Sequence, residues 1–286
     1  VNGDGEGLTL VYAPCFDWLQ QPGRAFPVIM DPVVRPSLSI NNIQDQQVDS
    51  NKNDVSHTSA YIECGRHTTY GIERIYMRYN ELPALTAADV VVAAAVSIKR
   101  TYNSTLTTQV NVHKVKGSWS PSTLQWSNRP DYNTRVEDFQ LVKDAGWYTW
   151  DITDIAREWY AEGKNYGMLF KVPDAIENAS SSNNKTFCSS DNYVDDRPVL
   201  QIAYRNACGL EGYWDYHSHS VGRAGAGHVN DYTGNLVFTH PVMGFASGLM
   251  PVSITAVYNA NDKDTDRFGF GCGWRTNYSQ RIDAVT

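Results

Sequence analysis

Short runs of alternating apolar and polar residues, each closed by turn-forming residues, recur along most of this chain. Val110, Val112 and Lys114 alternate with Asn111, His113 and Val115; Tyr148, Trp150 and Ile152 alternate with Trp147, Thr149 and Asp151. Met168, Phe170 and Val172 alternate with Leu169 and Lys171, and Val199, Gln201 and Ala203 with Leu200, Ile202 and Tyr204. A period of two sends successive side chains to opposite faces, the pattern of strands. Residues 74–79 and 90–102 read as further strands, the second buried in part on both faces. A helical period appears in residues 153–162, where Ile155, Trp159 and Tyr160 fall on one face. Asp151 or Thr153 can cap that segment and Gly163 can end it. Many short strands with one short helix predict an all-β fold, an antiparallel β-sandwich of jelly-roll type.

With 286 residues the chain allows one large domain or two smaller ones. The longest apolar run, residues 90–96, is too short to span a membrane. Lys plus Arg number 24 against 31 Asp plus Glu, a net charge of −7, and no basic run is present, which argues against nucleic acid as a partner. Charged residues make up only 19% while Tyr (17) and Trp (8) are abundant, a balance that suits extracellular β-proteins. No secretory leader is legible at Val1, so a secreted reading expects this chain to be a piece of a longer one. Cys15, Cys64, Cys188, Cys208 and Cys272 are dispersed, with no CxxC zinc pair and no dense disulfide framework. Buried thiols and one or two disulfides both stay open. Composition shifts twice: Pro22, Gly23, Pro27 and Pro32 mark a connector, and beyond Tyr204 the chain turns rich in Gly and aromatic residues.

The middle of the chain resembles a known family. The stretches KVKGSWSPSTLQWSNRP (114–130), GWYTWDITDIAREWYAEGKNYGMLFK (146–171) and DDRPVLQIAY (195–204) are similar to DNRLRE-type domains, although the hexapeptide itself is absent. The resemblance implies a β-sandwich module of bacterial surface proteins, some relatives of which are carbohydrate-binding modules of polysaccharide-degrading enzymes. RAFPVIMDPVV (24–34) resembles the connector that precedes such domains in wall-associated RHS/YD-repeat proteins. The stretches 222–244 and 250–282 resemble the start of their RHS-repeat region. The expected organisation is a connector over 1–34, the sandwich over 35–206 and the start of the RHS region over 207–286. The resemblance also implies a slice of a large secreted protein at a bacterial cell surface or wall.

Candidate site residues divide by chemistry. Trp119, Trp126, Trp150 and Trp159 match structural positions of the resembled family and are expected to be buried. Trp147 falls in the opposite register from Tyr148 and Trp150 and should point outward. An exposed indole can stack on the apolar face of a sugar ring, and Tyr102, Tyr132 and Tyr193, near loops, could extend such a platform. The other reading of Trp147 is a surface aromatic covered by a neighbouring module. Asp45, Asp49, Asn51 and Asn53 form an oxygen-rich segment that echoes a calcium loop, but Ala60 stands where the distal Glu would be. Asp191, Asp195 and Asp196 form a second acidic cluster for calcium, and an ordinary Asx turn is the alternative for the first. No other cofactor is indicated.

Enzyme signatures are missing: there is no GxSxG elbow, HExxH or P-loop. Asp31, Asp151, Glu158 and Asp196 are scattered carboxylates, and His217, His219 and His228 lack an evident further zinc ligand. The expectation is a non-catalytic module that binds polysaccharide or cell-wall glycan. The alternative is a spacer or collar that supports the rest of the RHS protein without binding sugar.

Overall fold

The computed structural model describes residues 33–52, 59–85, 89–207, 209–245, 252–262, 266 and 269–279. Apart from Val33 and Val34, the expected connector lies outside these residues, as do Cys15 and Cys208. The strands are β1 (Val33–Val34), β2 (Ile43–Asp49), β3 (Tyr61–His67), β4 (Gly71–Tyr79), β5 (Asp89–Arg100), β6 (Thr108–Lys114), β7 (Asp138–Val142) and β8 (Gly146–Asp151). Helix α1 (Thr153–Glu162), β9 (Met168–Lys171), the single turn α2 (Asp174–Glu177), β10 (Lys185–Cys188) and β11 (Val199–Asn206) follow. Beyond them come β12 (Tyr216–Ser220), β13 (Ala226–Asn230), β14 (Leu236–Phe245), β15 (Val252–Asn259) and β16 (Trp274–Thr276).

A four-stranded sheet runs β1-β11-β5-β8, and a seven-stranded sheet runs β10-β3-β4-β9-β6-β7 with β2 paired to β4. Their pairings are antiparallel. The all-β sandwich expected from the alternation is therefore the observed fold, with the helix at the expected residues. The turn α2 is an addition that four residues of sequence do not announce.

The main core lies between the two sheets. Val96, Ile98, Trp150, Leu200 and Ile202 come from the four-stranded sheet and Ile75, Met77, Val110, Val112 and Phe170 from the seven-stranded one. Trp150 stands at its centre, edge-on to Phe170 and Phe187 at 5.1 and 5.9 Å. Its Nε1 donates to the Val110 carbonyl at 2.9 Å, so one side chain bridges the sheets and satisfies its own polar atom. Helix α1 closes one end of the core with Ile155, Ala156 and Trp159. Asp151 Oδ1 accepts from the Thr153 amide at 2.8 Å at its start, and Gly163, at φ +63°, ends it in the left-handed region.

Residues 115–137 fold across the outer face of the seven-stranded sheet and build a second apolar cluster. Trp119, Leu124, Val115, Tyr76, Val48 and Leu169 form it. Trp119 is anchored by a 2.8 Å bond from Nε1 to the Tyr166 carbonyl. The expected burial holds for Trp119, Trp150 and Trp159 and is corrected for Trp126, which is only partly buried. The Trp126 ring lies between the guanidinium groups of Arg74 and Arg129, at 5.0 and 4.0 Å, so its polar surroundings keep it at the rim. Arg74 in turn makes a bidentate pair with buried Glu177, both bonds 2.8 Å.

The C-terminal strands form a five-stranded antiparallel sheet in the order β12-β13-β14-β15-β16. Neither apolar cluster contains a residue of this sheet. It meets the sandwich where Arg157 of α1 lies over the Tyr232 ring at 5.6 Å and where Asn235 Nδ2 donates to the Ala207 carbonyl at 2.9 Å. Trp214 stacks on Tyr232 at 5.1 Å and extends that contact.

Two predictions follow from the core. Trp150→Ala should lower stability by about 3–5 kcal/mol in urea unfolding, through the cavity and the orphaned Val110 carbonyl. Trp126→Ala should cost clearly less, and equal losses would contradict the two environments described. The second concerns Glu73, fully buried on β4, whose Oε1 receives a 3.4 Å bond from Gln47 while Oε2 has no partner. Burial first, then the carboxylates of Glu63 and Asp49, push its carboxyl from 4.5 up to about 9. The folded chain therefore holds a proton that the unfolded chain releases, and this contribution to stability is lost as pH rises from about 4.5 through 9. Glu73→Gln cannot ionise, so it should raise the melting temperature at pH 8 relative to the parent and change it little at pH 4. An equal shift at both values would refute this.

Candidate functional site

The two outward sheet faces differ. Residues 115–137 cover the middle of the seven-stranded sheet and leave Phe139 and Leu141 of β7 exposed, whereas the four-stranded sheet turns mostly small and polar side chains outward. On β5 the inward Ala94, Val96 and Ile98 alternate with Ala93, Ala95, Ser97 and Lys99. Register carries this row across the sheet: Ala95 pairs with Asp151, Ser97 with Thr149 and Lys99 with Trp147 on β8. On the other side Val199, Gln201 and Ala203 of β11 oppose Ser97, Ala95 and Ala93.

Trp147 is 45% exposed, because the register that seats Trp150 in the core sends position 147 outward. Cross-strand from it, Lys99 donates to Asp196 at 2.5 Å, and that carboxylate raises the ammonium above its ordinary range. Asp196 belongs to the turn that also carries Tyr193, 83% exposed. Tyr102, 51% exposed, follows β5 and packs on Tyr61 with ring centroids 5.7 Å apart. The Asn103 side chain accepts from the Ala145 amide at 2.8 Å, which holds the Tyr102 loop against the turn before Trp147. Trp147 and the turn carrying Tyr193 thus both adjoin Lys99, one by register and the other through Asp196, whereas Tyr102 turns to Tyr61 of the seven-stranded sheet. Tyr132 stands elsewhere, over the seven-stranded sheet, with His113 edge-on at 5.2 Å and Arg74 at 5.5 Å.

Along the face Ser97 and Thr149 share a 2.8 Å hydroxyl bond. At its far end a cavity of about 330 Å³ is lined by Ala93, Glu137, Asp151, Thr153, Asp154 and Arg157, among others. Arg135 bridges Asp154 at 2.8 Å and Glu137 at 3.6 Å, and burial pushes the Glu137 carboxyl up. A flat indole at one end, hydroxyls along the middle and paired charges at the other suit a polyhydroxylated ligand, whose rings offer C–H faces and whose hydroxyls need directed partners.

The calcium candidates are distributed differently from their sequence order. Asp45 is buried on β2 and accepts from Ser190 N at 2.7 Å and Ser190 Oγ at 3.0 Å. Burial pushes its carboxyl up to about 6, with Asp191 adding to the rise. Asp49 faces Glu73 across the strands and accepts from Gln47 at 2.7 Å, while Asn51 donates to the Thr69 carbonyl at 3.3 Å. Asp195 is exposed, Asp196 is paired with Lys99, and Asn53 lies outside the described residues. Among the described residues no three His, Cys, Asp or Glu side chains group as a metal site.

The scattered carboxylates serve local structure. Asp151 holds Thr153 and Glu158 pairs with Lys114, while Asp31 lies outside the described residues. His217 and His219 share one face of β12, whereas His228 meets Ser218 on the other at 2.8 Å. Sequence reasoning missed Ala93, Ala95, Ser97, Lys99 and Thr149. The alternation of Ser97 and Lys99 with Val96 and Ile98 was the available signal, masked by the apolar run before it.

Comparison with known proteins gives two family matches: carbohydrate-binding module family 96 over residues 37–204, and a domain of unknown function, DUF6531, over residues 226–286. The resemblance drawn from the sequence therefore holds, a carbohydrate-binding-module sandwich followed by a segment associated with RHS/YD repeats. Relatives include "tRNA nuclease WapA" of Bacillus subtilis (strain 168), 22% identical over 261 residues. Another is "tRNA3(Ser)-specific nuclease WapA" of Bacillus spizizenii, 21% identical over 260 residues. Each alignment covers 80% of this chain and the chain spans 11% of each relative's length. Those names include a nucleic-acid substrate, so the exclusion of nucleic acid drawn from net charge has no support among the relatives. Because the family-96 match takes in more than half of its residues, the chain belongs to carbohydrate-binding module family 96.

Proposed function

We propose that this chain is a non-catalytic polysaccharide-binding unit of a larger RHS-type protein at a bacterial surface. The observation that carries the reading is the exposure of Trp147 on the outer face of the four-stranded sheet. There Trp147 stands exposed beside Ser97, Thr149 and the Lys99–Asp196 pair. Family membership supports the ligand class. The use of Asp151 and Glu158 as structural tethers supports the absence of hydrolysis by this piece. The nuclease activity in the relatives' names is assigned to them; this chain matches only 11% of their length. Low charge and abundant Tyr and Trp support an extracellular setting, and among the described residues no helix is long and apolar enough to cross a membrane.

The contact of Arg157 with Tyr232 favours a second role beside the first: the sandwich supports the C-terminal sheet as a collar. A polysaccharide microarray separates the two. The full chain should bind at least one plant or bacterial polysaccharide without releasing new reducing ends. Trp147→Ala should weaken that binding by roughly tenfold or more with an unchanged melting temperature, since an exposed stacked ring carries on the order of 1–2 kcal/mol. Absence of binding across the array would leave the collar role alone.

A further inference from the structure

We propose that the end of the main core beside the 101–107 loop holds one small monovalent anion of halide size, gripped by Lys185 and Arg100. The inference is independent of the glycan reading and uses side chains that the sandwich encloses.

Both cations point between the sheets. Lys185 of β10 pairs with Cys64 of β3 and shares the parity of Phe187, which faces the core, while Thr186 between them turns the other way to Glu63. Arg100 of β5 continues the inward series of Val96 and Ile98. Lys185 is 2% exposed and Arg100 4%, so neither reaches bulk water. The space between the sheets therefore changes at this end from aliphatic and aromatic groups to two positive charges.

Among the described residues neither cation belongs to an ion pair. Lys185 Nζ donates to Ser104 Oγ at 3.0 Å. Ser104 Oγ gives its own proton to the Leu106 carbonyl at 2.8 Å, so it meets the ammonium as an acceptor. Arg100 Nη1 donates to the Thr186 carbonyl at 3.2 Å, and Arg100 Nε is buried with no partner. An ammonium has three N–H groups. The remaining two of Lys185 and the Nε–H of Arg100 thus lack an acceptor among the described residues. The acidic groups whose fields reach Arg100 are Tyr148, Cys64, Glu63 and Asp144. Glu63 accepts instead from Asn184 and Thr186, and burial pushes the Cys64 thiol up, which keeps it neutral. Burial first, and then Arg100, push the Lys185 ammonium down to about 8, so both groups are charged in mildly acidic solution.

Two enclosed positive charges without a counter-charge are costly, and a negative acceptor removes both the excess charge and the unmet N–H groups. Burial sets its size. A multiply charged oxyanion would have to shed a large hydration shell, whereas a halide ion is small, weakly hydrated and accepts from several N–H groups at once. Such an ion ties β5, β10 and the 101–107 loop together. That loop carries Asn103, which holds the turn before Trp147.

Thermal melting of the full chain at about pH 6.5 tests this, with chloride raised from about 5 to about 200 mM against methanesulfonate at constant ionic strength. The melting temperature should rise by about 3 °C or more. Lys185→Met keeps an unbranched side chain and removes the charge. It should melt no lower than the parent at the lowest chloride concentration and show no chloride response. Crystals grown in bromide should give an anomalous peak in contact with Lys185 Nζ and Arg100 Nε. If the parent melts at the same temperature in both salts, or if Lys185→Met responds to chloride as the parent does, the site is wrong. An empty position in the bromide crystal contradicts it as well, and decides the matter should Lys185→Met fail to fold. A bromide peak without any chloride effect on melting would mean an adventitious ion only and would also overturn the proposal.

Discussion

Trp150 fixes the register on which the rest of this structure depends. Its ring fills the space between the sheets against Phe170 and Phe187, and its indole nitrogen bonds across to Val110. A one-residue slip of β8 would carry this ring into solvent and bring Trp147 and Thr149 inside, at the loss of one of the largest buried side chains and a satisfied polar atom. Holding Trp150 in place therefore also decides that Trp147, Thr149 and Asp151 face outward. The same strand end delivers Asp151 to the first turn of α1. Core packing, the exposed face and the helix start thus share one constraint.

The seven-stranded sheet shows what happens to an outer face that has apolar residues to hide. Tyr76, Leu169 and Val48 point away from the main core, and residues 115–137 cross over to bury them, with Trp119 as the anchor. The four-stranded sheet has mostly small or polar residues at its outward positions, Ala93, Ala95, Ser97, Thr149 and Gln201 among them. A face of small and polar side chains around one large exposed aromatic ring is what a module needs to meet a polymer chain. The C-terminal sheet attaches near α1 through Arg157 and Tyr232, and Arg157 also lines the cavity at the end of that face. The proposed binding surface and the attachment surface are thus neighbours on one helix.

Much of this was readable from the residues. The strands around Trp150, Phe170 and Leu200 and the helix from Thr153 to Glu162 follow from periods of two and of 3.6, because each has one buried face. The outward direction of Trp147 followed from the same parity. Trp126 was harder to place: its partners Arg74 and Arg129 are 52 and three residues away in sequence, and only the tertiary fold shows the ring held between two cations. Tyr132 went astray for the same reason, being drawn to Arg74 and His113. The acidic residues looked like two clusters in sequence, yet Asp45 reaches Ser190 beside Asp191, 145 residues away, while Asp49 turns to Glu73. The outward row of β5 stayed hidden because its alanines sit in an apolar run and only pairing with β8 and β11 shows which of them face out.

The central claim is that a glycan lies on the outer face of the four-stranded sheet with Trp147 as its platform. The most direct measurement is an NMR titration of ¹⁵N-labelled chain with a polysaccharide fragment that it binds, following the tryptophan indole resonances. The account predicts a progressive shift of the Trp147 indole signal and of backbone amides in residues 93–99 and 147–151. The Trp150 and Trp119 indoles, held by the Val110 and Tyr166 carbonyls, should stay in place. Shifts centred instead on Trp126 and Tyr132, or on the C-terminal sheet, with Trp147 unmoved, would contradict it.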